Sequence, residues 1–324
     1  MSRALAATLL AAVLALGALA GCGDDGAPAA GDGAGQTRTV THASGTSEVP
    51  AEPERVLAVT GTIELESLLA LGVMPIAAAG DDDDLGGTRW LAHLEDRLEG
   101  VTRLPSRRNP NLERVAARRP DLIVGLDSWA GESYRQLSGI APTVLVDGDQ
   151  PWEGVLRDVA AALGREDEAE ELIAAHERRV ADLAERHPDL RGTTVTLARS
   201  FVGDGQIELG NGEESFRILR RLGFRRPPAQ ARLLAGETTA ISLERMRMID
   251  TDVILLFRYA GEEEQRAVDA LREHPLFSRL RAVGDDRVLE VNSEVWHLTG
   301  PIGAGLVVDD LERRVLPALT EDAR

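Results

Sequence analysis

The sequence predicts an α/β protein with two Rossmann-like βα lobes, joined by one long rigid helix, and a ligand cleft between the lobes. Short apolar strands alternate with helices in both halves of the chain, which predicts mostly parallel sheets and right-handed crossovers. Between the halves, residues 152–187 keep helical spacing and contain no proline. The stretch NLERVAARRPDLIVG at 111–125 has a near copy, SLERMRMIDTDVILL, at 242–256, so the two halves resemble each other.

The first half alternates four predicted strands with three predicted helices. The predicted strands are RVLAVTG (55–61), VMPIAAAG (73–80), DLIVGL (121–126) and TVLVD (143–147). The predicted helices are TIELESLLALG (62–72), NLERVAARR (111–119) and SYRQLSGIAP (133–142). The strands are short apolar runs, which indicates burial, and each helix stops at a glycine or a proline.

The joining region and the second half are predicted in the same way. From Trp152 the spacing predicts a short helix, a break at Gly164-Arg165 and a long helix from about 166 to 187. The strands predicted after Pro188 are TVTLARS (194–200), IELG (207–210), DVILLFR (252–258) and RVLEV (287–291). The helices predicted there are SFRILRRLGF (215–224), SLERMRMI (242–249) and GPIGAGLVVDDLERRVLPAL (300–319).

Composition and missing motifs exclude several classes of function. The net charge is −18, and all 36 basic residues are arginine, so mechanisms that need a P-loop, Schiff-base or kinase lysine are excluded. The acidic balance argues against a nucleic-acid partner. Six scattered histidines, and an Asp81–Asp84 run without calcium-loop spacing, predict no metal site. The chain has no Gly-x-Ser-x-Gly or His-Glu-x-x-His motif, so no catalytic residue is expected and an exported hydrolase is only a remote alternative.

The N-terminal sequence is typical of an export signal that is followed by a lipid-anchor site. Arg3 precedes an apolar stretch at residues 4–20, and Leu19-Ala20-Gly21-Cys22 then follows, which resembles a bacterial lipoprotein signal in which Cys22 is lipidated. An ordinary secretory signal beside a free thiol is the alternative. The predicted regions are a signal peptide at 1–21, a flexible tether at 22–48, an N-terminal lobe at 49–150, an interlobe helix at 151–190, a C-terminal lobe at 191–300 and a C-terminal helix and tail at 301–324.

Several stretches in a specific order carry a resemblance to a known family. They are SEVPAEPERVLAV, LLALGVMPI, NPNLERVAARRPDLIVG, LSGIAPTVLVD, AALGREDEAEELI, TAISLERMRMIDTDVILL, EHPLFSRLRAVGDDRVLEV and EVWHLTGPIGAGLVVDDL. From about residue 47 to 316 the chain resembles the substrate-binding proteins of ABC importers for iron–siderophore complexes. This single-helix-linked class also includes cobalamin and haem binding proteins, which are the alternative.

The resemblance implies a lipoprotein on the outer face of the cell membrane that captures a ferric siderophore, with the hydroxamate type preferred. It would deliver this cargo to ABC permease subunits powered by their ATPase. The resemblance implies no cofactor, because ferric iron arrives only inside the siderophore and needs no protein ligand. We expect a monomer that touches the membrane through its lipid anchor only.

The repeated stretch places one glutamate in each lobe, Glu113 and Glu244. Asn111 and Ser242 are N-cap candidates, and each glutamate then lies in the first turn of a helix, where the helix dipole stabilises it. Two capped helices in two similar lobes would explain the repeat without any further function. The resemblance implies a second role, in which both glutamates dock into arginine pockets on the two permease subunits.

Ligands of open parallel sheets bind outside the carboxyl ends of the strands, so polar and aromatic residues there are the binding candidates. The chosen candidates are Arg107, Arg108 and Trp129 in the first lobe, and Arg199, Arg258, Tyr259 and Trp296 in the second. Thr60, Thr62, Phe201 and His297 occupy similar positions, and Trp90 follows a loop that could reach the cleft. Guanidinium groups suit siderophore oxygens and flat rings suit its apolar parts. The alternatives are a packing role for each ring and a solvated surface charge for each arginine.

Overall fold

Two five-stranded sheets organise the protein, one in each half of the chain. The computed structural model describes residues 36–82, 88–105, 108–201, 205–210, 212–234, 239–259, 261–297 and 300–320. The chain divides into Met1–Gly35 and Gln36–Arg324, and the elements below all belong to the second unit.

The first half forms a parallel sheet beside two small antiparallel ribbons. Its strands are β1 (Thr37–His42), β2 (Gly45–Pro50), β3 (Val56–Ala58), β4 (Ala77–Ala79), β5 (Asp81–Asp82), β6 (Thr88–Arg89), β7 (Thr102–Leu104), β8 (Leu122–Leu126) and β9 (Thr143–Val146). The order in the sheet is β7-β4-β3-β8-β9, with every pair parallel. β1 pairs with β2, and β5 with β6. The flexible tether predicted at 22–48 is therefore wrong for residues 37–48, which belong to the β1–β2 hairpin. The helices are α1 (Ile63–Ala70), α2 (Leu112–Ala117), α3 (Asp127–Ala130) and α4 (Tyr134–Ser138), with 3-10 turns at Ala92–Arg97 and Gly131–Ser133.

The joining region contains the two predicted helices, α5 (Trp152–Leu163) and α6 (Glu166–Arg186). The break at Gly164 is confirmed, because this residue ends α5 in the left-handed conformation with a φ of 68°. A Cβ atom at Gly164 would lie 2.0 Å from Nη1 of Arg38. That arginine donates a 3.1 Å hydrogen bond to the carbonyl of Ala162, so the glycine is required by both backbone and space.

The second half forms a mixed sheet. Its strands are β10 (Val195–Phe201), β11 (Gln206–Leu209), β12 (Ala240–Ser242), β13 (Val253–Arg258) and β14 (Val288–Asn292). In the order β12-β11-β10-β13-β14, the β10–β13 and β13–β14 pairs are parallel, whereas β11 runs antiparallel to both of its neighbours. The helices are α7 (Glu213–Arg221), α8 (Pro228–Leu234), α9 (Glu262–Glu273), α10 (Arg281–Gly284), α11 (Ser293–Trp296), α12 (Pro301–Asp310) and α13 (Leu316–Thr320).

Two predicted helices of the second half differ from expectation. SLERMRMI forms a 3-10 helix at Leu243–Ile249 instead of an α-helix, and the C-terminal helix is interrupted by a π-helical turn at Leu311–Val315. Further 3-10 turns lie at Pro188–Leu190 and Phe277–Arg279.

The largest apolar cluster contains residues of both lobes. The central strands are buried on both faces, and alternate residues of β3 enter different clusters: Val56 joins the large core and Leu57 a smaller cluster within the first lobe. The large core continues through Leu183 of α6 to Val195 and Leu255 of the second sheet. Because burying one such side chain contributes about 1.5–3 kcal/mol, this shared core resists separation of the lobes. Within the described part of the chain, every helix is too short or too polar to cross a bilayer.

Candidate functional site

In both lobes the aspartate of the repeated stretch hydrogen-bonds to the start of a neighbouring strand. Asp121 precedes β8, and its carboxylate accepts a 2.9 Å hydrogen bond from the backbone N–H of Arg55, at the start of β3. Asp252 precedes β13 and accepts a 2.8 Å bond from the N–H of Thr194, just before β10. These pairs occupy equivalent register positions, so each aspartate ties together the beginnings of two neighbouring parallel strands.

Glu113 and Glu244 are both exposed and lie in the first turn of equivalent helices. Asn111 caps its helix as predicted, since its side-chain oxygen accepts a 3.0 Å bond from the N–H of Arg114. The predicted Ser242 cap is wrong: within the described residues its side chain makes no capping hydrogen bond. The two carboxylates are therefore presented to solvent at matching places on the two lobes, with capping chemistry in only one of them.

In the first lobe, arginine–tryptophan pairs follow the strand ends. The guanidinium of exposed Arg108 lies 4.8 Å from the ring centre of half-buried Trp129. Trp129 lies in α3, which directly follows β8. Arg103 on β7 lies 4.8 Å from the ring centre of Trp90, which is 5% exposed. A guanidinium stacked on a ring keeps its N–H edge free to donate sideways, so Arg108 can bind an anionic oxygen while Trp129 contacts an apolar surface.

The second lobe brings Arg199, Tyr259 and His297 together. The Arg199 guanidinium lies 4.4 Å from the Tyr259 ring centre and is ion-paired with Glu264. The Tyr259 hydroxyl is hydrogen-bonded to Nδ1 of His297, whose ring is stacked near Phe257 at a centroid distance of 6.4 Å. Burial lowers the pKa of His297 and raises the pKa of Tyr259. At neutral pH both groups are therefore uncharged, and Arg199 carries the positive charge of this cluster.

Two threonines at the end of β3 have a purely structural role. Thr60 and Thr62 are 0% and 3% exposed. The carboxylate of buried Glu64 accepts hydrogen bonds from the backbone N–H groups of Thr60, Gly61 and Thr62. The Thr60 hydroxyl accepts a 3.0 Å bond from the N–H of Leu126, which joins the ends of β3 and β8. The Thr62 hydroxyl donates a 3.0 Å bond to the carboxylate of Glu64, so both hydroxyls take part in hydrogen bonds within the lobe.

A cavity of about 430 Å³ lies between the 3-10 turn at Ala92–Arg97 and the ends of β13 and β14. Its lining includes Ala92 of the first lobe and Arg258 and Asn292 at the ends of β13 and β14. The predicted ligand-binding residue Arg258 borders this cavity, but its Nε is ion-paired with Glu290 at 3.0 Å. Part of its donor capacity is therefore used inside the protein.

The prediction for Trp296 is wrong. This side chain is 0% exposed, and its indole N–H donates a 2.9 Å hydrogen bond to Asp310 on α12. It fastens α11 to the C-terminal helix and cannot contact a ligand in this conformation. Arg107, Cys22, Asp83 and Asp84, together with the side chain of Phe201, lie outside the described residues.

Sequence reasoning missed Arg103 as a cleft candidate. It lies on β7, a strand of three residues, which is too short to show a hydrophobic period. The only local signal was its position nine residues before the start of the repeated helix α2. His297 was collected among strand-end residues, but its contact with Tyr259 depends on two segments 38 positions apart.

This chain belongs to the periplasmic binding protein family, whose model matches residues 57–295. It is 33% identical over 290 residues to the probable siderophore-binding lipoprotein YfiY of Bacillus subtilis (strain 168), covering 86% of this chain and 87% of that protein. It is 25% identical over 264 residues to the Fe(3+)-citrate-binding protein YfmC of the same organism, covering 80% of each. The structure of Staphylococcus aureus SirA complexed with staphyloferrin B has the same fold, with a TM-score of 0.72 at 23% identity, covering 85% of this chain and 98% of that one.

Proposed function

We propose that this protein is an extracytoplasmic substrate-binding lipoprotein that captures a ferric siderophore and delivers it to an ABC permease. The observation that carries the proposal is the 33% identity to a siderophore-binding lipoprotein, which extends over 290 residues and therefore includes both lobes. Lipidation of Cys22 anchors the protein to the outer face of the membrane, and the permease and its ATPase complete the importer.

The chemistry of the strand ends suits this cargo. Arg108 over Trp129 in the first lobe and Arg199 over Tyr259 in the second each combine a charged N–H edge with an aromatic face. A ferric siderophore presents anionic oxygens around its iron and apolar linkers between them, so both parts of each pair find a partner. The siderophore fills the coordination sphere of the iron, and the protein supplies no ligand to the metal. We propose a hydroxamate siderophore as the preferred type.

A titration of tryptophan fluorescence tests the cargo. The protein is titrated with ferric hydroxamates, ferric catecholates, ferric citrate, haem and cobalamin, and each iron-free siderophore serves as the matched control. We expect saturable quenching by a ferric siderophore at micromolar concentration or below, and a weaker response to the iron-free form. Saturable binding of haem or cobalamin, with no response to any ferric siderophore, would replace the proposed cargo by the alternative of the same class.

The docking part of the proposal concerns Glu113 and Glu244. Matched carboxylates on the two lobes present the same charge twice to a permease built from two subunits, which sets the orientation of the complex. An exposed ion pair contributes only about 0.2–1 kcal/mol, so the pair orients the encounter until water is excluded from the interface.

A further inference from the structure

Two buried carboxylates, one from each half of the chain, form hydrogen bonds with the segment from Trp90 to Leu98. Glu294, on α11 after the second sheet, accepts a 2.7 Å hydrogen bond from the backbone N–H of Ala92. Glu66, on α1 of the first lobe, lies 2.9 Å from Nε2 of His93. The two glutamates are 3% and 1% exposed, so both contacts are shielded from water.

Glu66 also reaches the C-terminal helix. Its Oε2 accepts a 2.7 Å hydrogen bond from the N–H of Gly303 in the first turn of α12, where the helix dipole favours a negative charge. A Cβ atom at Gly300 would lie 2.7 Å from the same oxygen, so a larger residue there would collide with the carboxylate. The GPIG start of α12 therefore has a physical explanation: its glycines leave room for a carboxylate from the other half of the chain.

Buried carboxylates resist the loss of their partners. A carboxylate removed from water is costly unless N–H donors replace the hydration it loses. For Glu294 the donor comes from the first lobe, whereas for Glu66 it comes from α12, which follows the second sheet in sequence and packs against both α1 and α11. Moving the lobes apart would break the hydrogen bond between Ala92 of the first lobe and Glu294 of the second. The arrangement therefore opposes that motion.

A second connection between the lobes is mechanically useful. The helix α6 joins them as a single rod, which by itself would leave the lobes free to rock or twist about its ends, and the shared apolar core already restrains part of this movement. The contacts of Glu66 and Glu294 are made by α1, α11 and α12, which lie outside this rod. They can therefore restrain the movements that α6 permits.

We propose that Glu66, His93 and Glu294 are positioning residues that form an interlobe clasp. The clasp sets the spacing of the two lobes before cargo arrives and keeps it nearly unchanged afterwards. Glu113 and Glu244 are thereby held at one separation in the empty and the loaded protein. The proposal concerns lobe geometry alone, so it does not depend on which cargo is bound.

Distance measurements between spin labels test the clasp. Labels are attached at Arg114→Cys and Arg245→Cys, two exposed positions on the two lobes, in the full chain carrying Cys22→Ser, which removes the single native cysteine. We expect one narrow interspin distance. Glu66→Ala or Glu294→Ala should broaden the distribution or add a longer distance, and Glu66→Gln, which keeps an acceptor oxygen, should restore most of the narrow peak.

The matched control is Glu64→Ala. Glu64 is as buried as Glu66 and lies on the same helix, but its hydrogen bonds go to Thr60, Gly61 and Thr62 of its own lobe. Glu64→Ala should lower the thermal midpoint of unfolding. At temperatures well below this midpoint it should leave the distribution of interspin distances narrow. The clasp is refuted if the Glu66 and Glu294 variants keep the native distribution. It is equally refuted if Glu64→Ala broadens the distribution as much as they do, or if the unmutated protein already shows two distances.

Discussion

At the scale of single residues, arginine supplies all the basic chemistry of the candidate site. In a chain without lysine the basic side chains available to bind anions are mainly planar guanidinium groups, and these stack on rings in a way that an ammonium group does not. Arg108 on Trp129 and Arg199 on Tyr259 show the arrangement in both lobes. Stacking orients the guanidinium before the ligand arrives, so less side-chain entropy is lost on binding.

Trp129→Ala should weaken binding of the ferric siderophore about tenfold, which corresponds to about 1.4 kcal/mol. The variant removes both an aromatic contact with the ligand and the support of Arg108, each of which contributes about 0.5–1.5 kcal/mol. Calorimetric titration is the suitable measurement, because the fluorescent reporter itself is lost. Unchanged affinity would remove Trp129 from the site.

Trp296→Phe is the matched tryptophan control. The side chain is fully buried and only its bond to Asp310 is lost. The affinity for cargo should stay within twofold of the original, while the free energy of unfolding falls by about 1–3 kcal/mol, as for other buried hydrogen bonds that lose one partner. A large loss of affinity at unchanged stability would reverse the assignment of Trp296 to the core.

His176 should make stability depend on pH. Burial lowers the pKa of this residue, which packs edge-on against Trp152 with ring centres 5.2 Å apart. Below its unfolded pKa of about 6.5 the unfolded chain binds more protons than the folded one, so stability is lost as pH falls through this value and is fully present above it. Urea unfolding of the native protein and of His176→Gln between pH 7.5 and 5.5 checks this. The native curve should fall more steeply, and parallel curves would contradict the prediction.

At the scale of elements, local sequence signals were sufficient where they were strong and long. The break between α5 and α6 was predicted because glycine is the common residue at a left-handed helix end, and the structure has it there. The strands β1, β2, β7 and β12 and the helix α9 were not predicted, and β1 and β2 fall mostly in the stretch predicted to be a flexible tether. No local signal separates an α-helix from the 3-10 helix at Leu243–Ile249, because tertiary packing decides between them.

The sequence predicts which residues follow each strand end, but it does not predict the directions of their side chains. Consecutive residues after a strand point in different directions, and the turn that follows is not encoded in hydrophobic spacing. Trp296 follows β14 as Trp129 follows β8, yet the first is fully buried and bonded to Asp310, whereas the second lies under an exposed arginine. The interlobe contacts of Glu66 and Glu294 were equally invisible, since they join residues more than 200 positions apart.

Gly164→Ala should lower the free energy of unfolding by about 2–4 kcal/mol. A left-handed conformation costs an L-residue about 1–2 kcal/mol, and the added Cβ would also displace Arg38 from Ala162. Gly192→Ala is the control, because Gly192 also has a positive φ of 92° but its Cβ would meet nothing within 4 Å. Urea unfolding measures both variants. Equal losses of unfolding free energy in the two variants would show that the cost comes only from the left-handed backbone conformation. The contact with Arg38 would then contribute nothing.

At the scale of the whole molecule, the apolar core and the stiff helix α6 connect the two lobes into one body. The large core includes residues from both sheets and from α5, α6 and α12. Closure around cargo must therefore be small, because a large movement would expose buried apolar surface at about 25 cal/mol per Å². A binding protein that moves little must be recognised by its permease through features that both lobes present together.

Changing both Glu113 and Glu244 to Ala should leave cargo affinity within twofold and abolish uptake. Both carboxylates are exposed in the first turn of a helix, and neither is among the ligand-binding candidates, so we expect binding and docking to be separable. Uptake of labelled ferric siderophore is measured in cells that lack the unmutated protein, and immunoblotting confirms equal amounts at the membrane. Each single variant should retain partial uptake, because one lobe still presents its charge.

Glu185→Ala combined with Glu273→Ala is the matched control for this experiment. It removes two exposed glutamates, one on α6 and one on α9, so the change in net charge is the same. If uptake depended only on the overall negative charge, both double variants would fail alike. Full uptake by the Glu113/Glu244 variant would mean that the permease recognises another surface. The presence of a glutamate at both positions would then be explained only by the favourable charge–dipole interaction in the first turn of each helix.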